Sequence, residues 1–282
     1  MADSTDGEAA VDLLRQYQQA ALGRINANGR LHIGSGTFNV DDHAISFAID
    51  PGCETFNDDF VAVWQPAYAG DVFWAAAIAD GVTGSLLAQE AAELACYFGL
   101  SAIAKANPDR SAIAKNPIAF VTRLFHLMGR RVQSAPDDFR PPNCPSSIWK
   151  LAIREGKYLQ TTLTLVWSTA DGLCIMAIGD GGILYSYESD PKRFTSHTFG
   201  SGKLQCLGPR SAPVQPEAYL LENWSGIACF TDGLAEAIEG RSDFPTMMFD
   251  RQENIASAID FLNRDCPELV NDNLSAFRAM KV

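Results

Sequence analysis

Five apolar runs in this 282-residue chain begin or end in aspartate. Asn57-Asp58-Asp59-Phe60 opens the run 61–64, and Asp80-Gly81 closes 72–79. Asp180-Gly181 closes 173–178, Asp232-Gly233 closes 227–231, and Asp272-Asn273 opens 274–277. A carboxylate at the rim of a packed sheet is rigidly held and half desolvated. Several on one rim repel one another unless a cation sits between them. The residue types therefore point to a carboxylate-bound metal centre, and such centres often handle phosphate. Asp-Gly is also a common turn dipeptide, and any one pair alone reads more readily as a turn. Asp171-Gly172 is assigned to that class.

The elements that must position these residues follow from periodicity. Residues 1–7 read as frayed, and 8–23 as an amphipathic helix that ends near 26–29. Residues 31–50 suggest one or two strands, and Pro51-Gly52 a turn. Runs 60–65 and 72–79 read as a strand pair, apolar enough to be covered on both faces. Residues 86–105 and 118–133 read as helices, and 134–147, with four prolines, as a loop. A short helix is expected at 148–156. Residues 161–168 and 173–179 are expected to form a hairpin across Thr169-Ala170-Asp171-Gly172, and 183–187 a further strand. Residues 188–216 are polar and punctuated by Gly and Pro. Runs 217–222 and 226–231 read as another strand pair. Helices follow Asp232 and cover 253–264, and 274–281 is a closing strand. Strands in hairpins and helices in separate pairs make an α+β pattern, without the regular alternation of a doubly wound sheet. No composition break marks a linker, so residues 1–30 are read as a helical extension and 31–282 as a single domain.

The net charge of −12 speaks against nucleic acid and against an anionic membrane surface as partners. Seven scattered cysteines without a Cys-x-x-Cys pair read as reduced thiols of a cytoplasmic protein, with no thiolate metal site. The acidic N-terminus lacks the features of a signal peptide, and no apolar run is long enough to span a bilayer. The four histidines, His32, His43, His126 and His197, have no ligand spacing, so neither a histidine metal site nor a Ser-His-Asp triad is indicated.

The order of the motifs resembles the metal-dependent Ser/Thr protein phosphatase 2C family, including its compact bacterial members, over roughly residues 45–282. Asn57-Asp58-Asp59 is similar to the family's Asn-Glu/Gln-Asp element, and Asp80-Gly81-Val82-Thr83-Gly84 to its Asp-Gly-x-Gly-Gly element. Thr161-Thr162-Leu163 resembles the start of the central hairpin, and Ile178-Gly179-Asp180-Gly181 the Val-Gly-Asp-Ser element. Phe230-Thr231-Asp232-Gly233-Leu234 resembles Ser-Asp-Gly-Leu, and Asp272-Asn273-Leu274-Ser275 the terminal Asp-Asn-x-Ser/Thr. The implied fold is an α/β/β/α four-layer sandwich: two antiparallel sheets flanked by helix pairs, with the metal centre at one end.

A phosphate monoester dianion repels hydroxide, and water is a poor nucleophile at neutral pH. Two divalent cations about 3.5–4 Å apart meet both problems, and Mg²⁺ or Mn²⁺ prefer oxygen ligands. The resemblance implies two such ions per site and a looser third. It implies that Asp80 bridges both ions, the Gly81 carbonyl completes the second, and Asp232 and Asp272 hold the first. Asp58 and Asp59 act directly or through water, and Asp180 joins Asp232 at the third. Asp59, Asp80 and Asp232 are thus the expected catalytic carboxylates. The implied reaction is one-step hydrolysis of phosphoserine or phosphothreonine in a protein substrate by a metal-bridging hydroxide. The chain departs from the family at Glu54, where many members carry an Arg that grips phosphate; a carboxylate cannot donate to phosphate. Val82, Thr83 and Gln160 stand where relatives have His, Gly and Gly. Two other readings stay open: an inactive regulatory protein on this fold, favoured by Glu54, and a phosphatase for a small metabolite with 188–216 as its specificity flap.

Overall fold

Continuous apolar runs become strands covered on both faces. The structure is a computed structural model, which describes residues 5–67, 72–106, 140, 144–200, 206–208, 216–250 and 253–282. Its strands are β1 (Gly29–Ile33), β2 (Gly36–Val40), β3 (His43–Asp50), β4 (Phe60–Pro66), β5 (Val72–Ala79), β6 (Leu163–Thr169), β7 (Gly172–Ile178), β8 (Gly182–Tyr187), β9 (Asp190–Thr198), β10 (Glu217–Leu221), β11 (Trp224–Phe230) and β12 (Leu274–Lys281). Its helices are α1 (Thr5–Asn28), α2 (Ala88–Ala106), α3 (Ser146–Glu155), α4 (Asp232–Gly240), α5 (Phe244–Met248) and α6 (Ile255–Asp265).

The strands form two six-stranded sheets, ordered β1-β4-β5-β6-β7-β10 and β2-β3-β12-β11-β8-β9. Every neighbouring pair is antiparallel. Side chains alternate between two cores, as a period of two requires. On β4 and β5, Val61, Val63, Trp74 and Ala76 enter the core between the sheets, with Phe277, Ile227 and Trp224 from the opposite sheet. Ala62, Trp64, Ala75 and Ala77 face the other way, against Ala92, Ala95 and Leu100 of α2. The second sheet repeats the pattern: Ala228, Phe230 and Ala276 pack on Leu234, Ile259 and Leu262 of α4 and α6. This is the expected four-layer sandwich. The expected helix at 118–133 and most of the loop at 134–147 lie outside the described residues.

Helix α1 is longer than its periodicity predicted, running from Thr5 to Asn28. Its last turn is held by tertiary bonds: the Trp64 indole donates to the Ile25 carbonyl at 3.2 Å, and the Ala67 amide to that of Asn28 at 2.9 Å. These satisfy carbonyls that a helix end leaves open. Ala21 and Ile25 join the core beneath α2, and Gln18 donates to Glu93 of α2 at 2.8 Å.

Three expectations need correction. Residues 29–50 form three strands, because tight turns at 34–35 and 41–42 divide them. The runs expected to pair at 217–222 and 226–231 do not pair: β10 adds to β7 in one sheet, while β11 lies between β8 and β12 in the other. Trp224 explains the separation, being buried in the inter-sheet core and stacked on His43 at 5.3 Å. The polar stretch 188–216 contains a regular edge strand, β9, whose mostly exposed side chains carry no hydrophobic signal. The predicted hairpin is β6–β7, and its turn spans the expected 169–172, with Thr169 paired to Gly172.

Candidate metal centre

Sheet topology gathers the aspartates. Asp58 and Asp59 precede β4, Asp80 follows β5, Asp180 lies between β7 and β8, Asp232 starts α4 after β11, and Asp272 precedes β12. All six sit at the same end of the antiparallel strands. Carboxylate oxygens of Asp80, Asp180 and Asp232 lie within 4.8 Å of one another. Asp59 is 3% exposed. Asp58 and Asp272 flank this group, and each is close enough to repel another member: Asp272 acts on Asp58, Asp80 and Asp180.

The local chain is built to hold these side chains still. The Thr231 hydroxyl donates to Asp59 Oδ2 at 2.9 Å, both groups being buried. The Thr162 hydroxyl accepts from the Asp80 amide at 3.0 Å, and the Thr161 hydroxyl donates to the Asp80 carbonyl at 2.8 Å. Asn273 accepts the Asp58 amide on its side-chain oxygen at 2.7 Å. Asp272 and Asp232 each accept the amide of the following residue, at 2.7 and 2.8 Å. Gly81 must be glycine because a Cβ there would overlap the Ala88 backbone; its amide donates to the Asp58 carbonyl at 3.1 Å.

The electrostatics are unfavourable for bare carboxylates. Burial, with repulsion from Asp232, raises the Asp59 carboxyl to about 7, although the Thr231 hydroxyl opposes the shift. Burial, then Asp59 and Asp232, raises Asp80 to about 10. Burial also raises Asp58 and Asp180. Among the described residues, Asp59 Oδ1 and Asp180 Oδ1 are buried with no hydrogen-bond partner. An unsatisfied buried acceptor costs about 1–3 kcal/mol, and more when charged. An oxygen-only donor set, crowded, desolvated and left with open lone pairs, fits hard divalent cations. The residues present therefore fit the metal group the motifs imply.

Sequence reasoning missed the supporting hydrogen bonds. Thr231, Asn273, Thr161 and Thr162 lie inside the motifs, but their sequence neighbours do not reveal what they bind. It also missed a cluster beside the Asp180 turn. There Glu217 of β10 accepts the Gly200 amide at 3.1 Å, contacts His197 of β9 at 3.1 Å, and accepts from the Tyr219 hydroxyl. These bonds tie the edge strands of the two sheets together.

A sandwich of two antiparallel sheets with an acidic centre at one end is the architecture that the motifs imply for a metal-dependent phosphatase. The sequence profile of the protein phosphatase 2C family matches residues 28–271, and the chain belongs to that family. It is thus a phosphoprotein phosphatase of a metal-dependent family. No curated protein matches the chain. Among solved structures it is similar to a bacterial serine phosphatase, with 12% identity and a TM-score of 0.60, covering 86% of this chain and 98% of that one. It is also similar to the Mycobacterium tuberculosis serine/threonine phosphatase PstP/Ppp, with 18% identity and a TM-score of 0.56, covering 84% and 98%. A third likeness is to Stp1 of Staphylococcus aureus, with 12% identity and a TM-score of 0.59, covering 89% and 98%. At these identities the solved structures bear on the fold alone. No helix among the described residues is long and apolar enough to cross a membrane.

Proposed function

We propose that the chain hydrolyses phosphoserine and phosphothreonine in proteins in one step, using Mg²⁺ or Mn²⁺ held by Asp58, Asp59, Asp80, Asp180, Asp232 and Asp272 with the Gly81 carbonyl. The observation that carries this reading is the buried, partnerless pair of oxygens on Asp59 and Asp180 in a crowded carboxylate group. Bound cations would acidify a water and offset the charge of the phosphoryl oxygens. The chain's own part is to fix the cage. Thr231 orients Asp59, Thr161 and Thr162 fix the backbone of Asp80, and Asn273 fixes that of Asp58. A preset cage avoids reorganisation as charge develops.

Two ions with a weaker third, a signalling role and a cytoplasmic setting belong to the same proposal. So does the division into a helical extension at 1–30 and one catalytic domain at 31–282. The burial of Ala21 and Ile25 in the α2 core supports a docked extension. A binding-only role is disfavoured by the intact carboxylate set, although Glu54 removes a phosphate donor. The test is Asp80→Asn. The variant should retain its fold by circular dichroism and lose dephosphorylation of a phosphothreonine peptide by at least about 100-fold, the scale on which loss of a key electrostatic group is read. Retained turnover would remove Asp80 from the site.

A further inference from the structure

The segment from Pro51 to Phe56 stands beside the carboxylate centre and is tied at both ends by one buried side chain. The Asn273 amide nitrogen donates to the Pro51 carbonyl at 3.0 Å and to the Phe56 carbonyl at 3.1 Å. Its oxygen accepts the Asp58 amide at 2.7 Å, and the residue is 5% exposed. Inside the loop, the Glu54 amide donates to the Pro51 carbonyl at 3.0 Å and the Gly52 amide to Asp50 Oδ1 at 2.8 Å. Gly52 takes φ +59° and lies against the Asp272 carbonyl, where a Cβ would overlap it. The loop is therefore built onto the residues that carry Asp58 and Asp272.

This tied loop exposes residues 53–56, and two of them bear on a substrate. Phe56 is 78% exposed, the most exposed large apolar residue among those described. Glu54 is exposed, and among the described residues it forms no ion pair. It lies near enough to Asp58 to add to the negative field there. An exposed aromatic on a fixed loop beside a site is placed to make contacts with a bound partner, as loop residues held by a rigid scaffold commonly do.

We infer that residues 51–56 form the substrate lip of the site, selecting phosphopeptides that carry a basic residue and an apolar residue beside the phosphorylated one. The inference rests on the phosphatase reading above. Glu54 attracts the basic side chain, Phe56 covers the apolar one, and the net charge of −12 reinforces the preference. An acidic flanking sequence meets Glu54 with like charge and is disfavoured.

The experiment compares phosphoserine peptides that differ only in having Arg, Gln or Glu at the flanking positions. The Mn²⁺-loaded full chain is used, and each kcat/KM is divided by that for p-nitrophenyl phosphate. The Arg peptide should exceed the Glu peptide about tenfold, and Glu54→Arg should invert the order, a result that partial unfolding cannot produce. Phe56→Ala should lower the peptide-to-aryl ratio about tenfold, with Phe56→Leu retaining most of it. Turnover of p-nitrophenyl phosphate without charge preference, or an order unchanged in Glu54→Arg, would overturn the lip while leaving the phosphatase reading standing. An unchanged ratio in Phe56→Ala, with a dimer lost in sedimentation, would overturn it in favour of a second copy covering Phe56. No turnover of any substrate would overturn the phosphatase reading, and the lip with it.

Discussion

At the scale of residues, Asp59 shows how this chain turns a costly burial to use. A carboxylate 3% exposed has one oxygen satisfied by Thr231 and the other left open in a group of like charges. Thr231→Val removes the hydroxyl that donates to Asp59 Oδ2 and leaves a buried acceptor short of a donor, a loss of about 1.5–3 kcal/mol for a bond to a charged group. Metal affinity by calorimetry should fall at least about tenfold, and Thr231→Ser should restore most of it. Equal affinity in Thr231→Val would show that Asp59 needs no such support. The aspartates were legible in the sequence because each ends or opens an apolar run. Their supports were not, since Thr231 reaches Asp59 across 172 positions and Asn273 reaches Asp58 across 215. Pairings that distant depend on topology, and no local pattern encodes them.

Among the elements, the strongest signals were strands buried on both faces. The run ending at Ala79 and the run ending at Lys281 were read with their observed bounds, 72–79 and 274–281. Both alternate between two apolar cores, so nearly every side chain reports burial. Edge strand β9 gave no such report because solvent covers much of it. The separation of β10 from β11 was hidden for another reason. Adjacent strands usually pair, and only the burial of Trp224 between the sheets shows the chain crossing over. Helix α1 ends at Asn28, within the expected 26–29, and there Trp64 and Ala67 satisfy its last carbonyls from outside. Its docking can be tested on its own. Ile25 is fully buried beneath α2, so Ile25→Ala should destabilise the fold by about 2–4 kcal/mol in urea. The KM for p-nitrophenyl phosphate should stay within about twofold, because the cavity lies in the helical layer and not at the carboxylate rim. A large KM change with little loss of stability would contradict the assignment of α1 to a docking role.

For the whole molecule, the carboxylate centre makes stability depend on pH and metal together. Without cations, the folded chain keeps protons on Asp59 up to about 7 and on Asp80 up to about 10. The unfolded chain gives them up near pH 4. The unfolded state thus binds fewer protons across that window, so stability falls as pH rises from about 4 through 7 towards 10. The melting temperature in EDTA should drop between pH 5 and pH 8. Saturating Mn²⁺ should remove much of that slope, because binding to the native state adds about 2.7 kcal/mol at 100 times Kd, or roughly 5 °C or more at this size. A flat EDTA profile would mean that the carboxylates are better solvated than their burial implies. The central claim, that these carboxylates form a working metal phosphatase, is tested most directly by p-nitrophenyl phosphate hydrolysis with Mn²⁺, with Mg²⁺ and with EDTA. Turnover that appears with either cation and disappears with EDTA is the predicted result. Turnover indifferent to EDTA, or no turnover although calorimetry shows the cation bound, would contradict it.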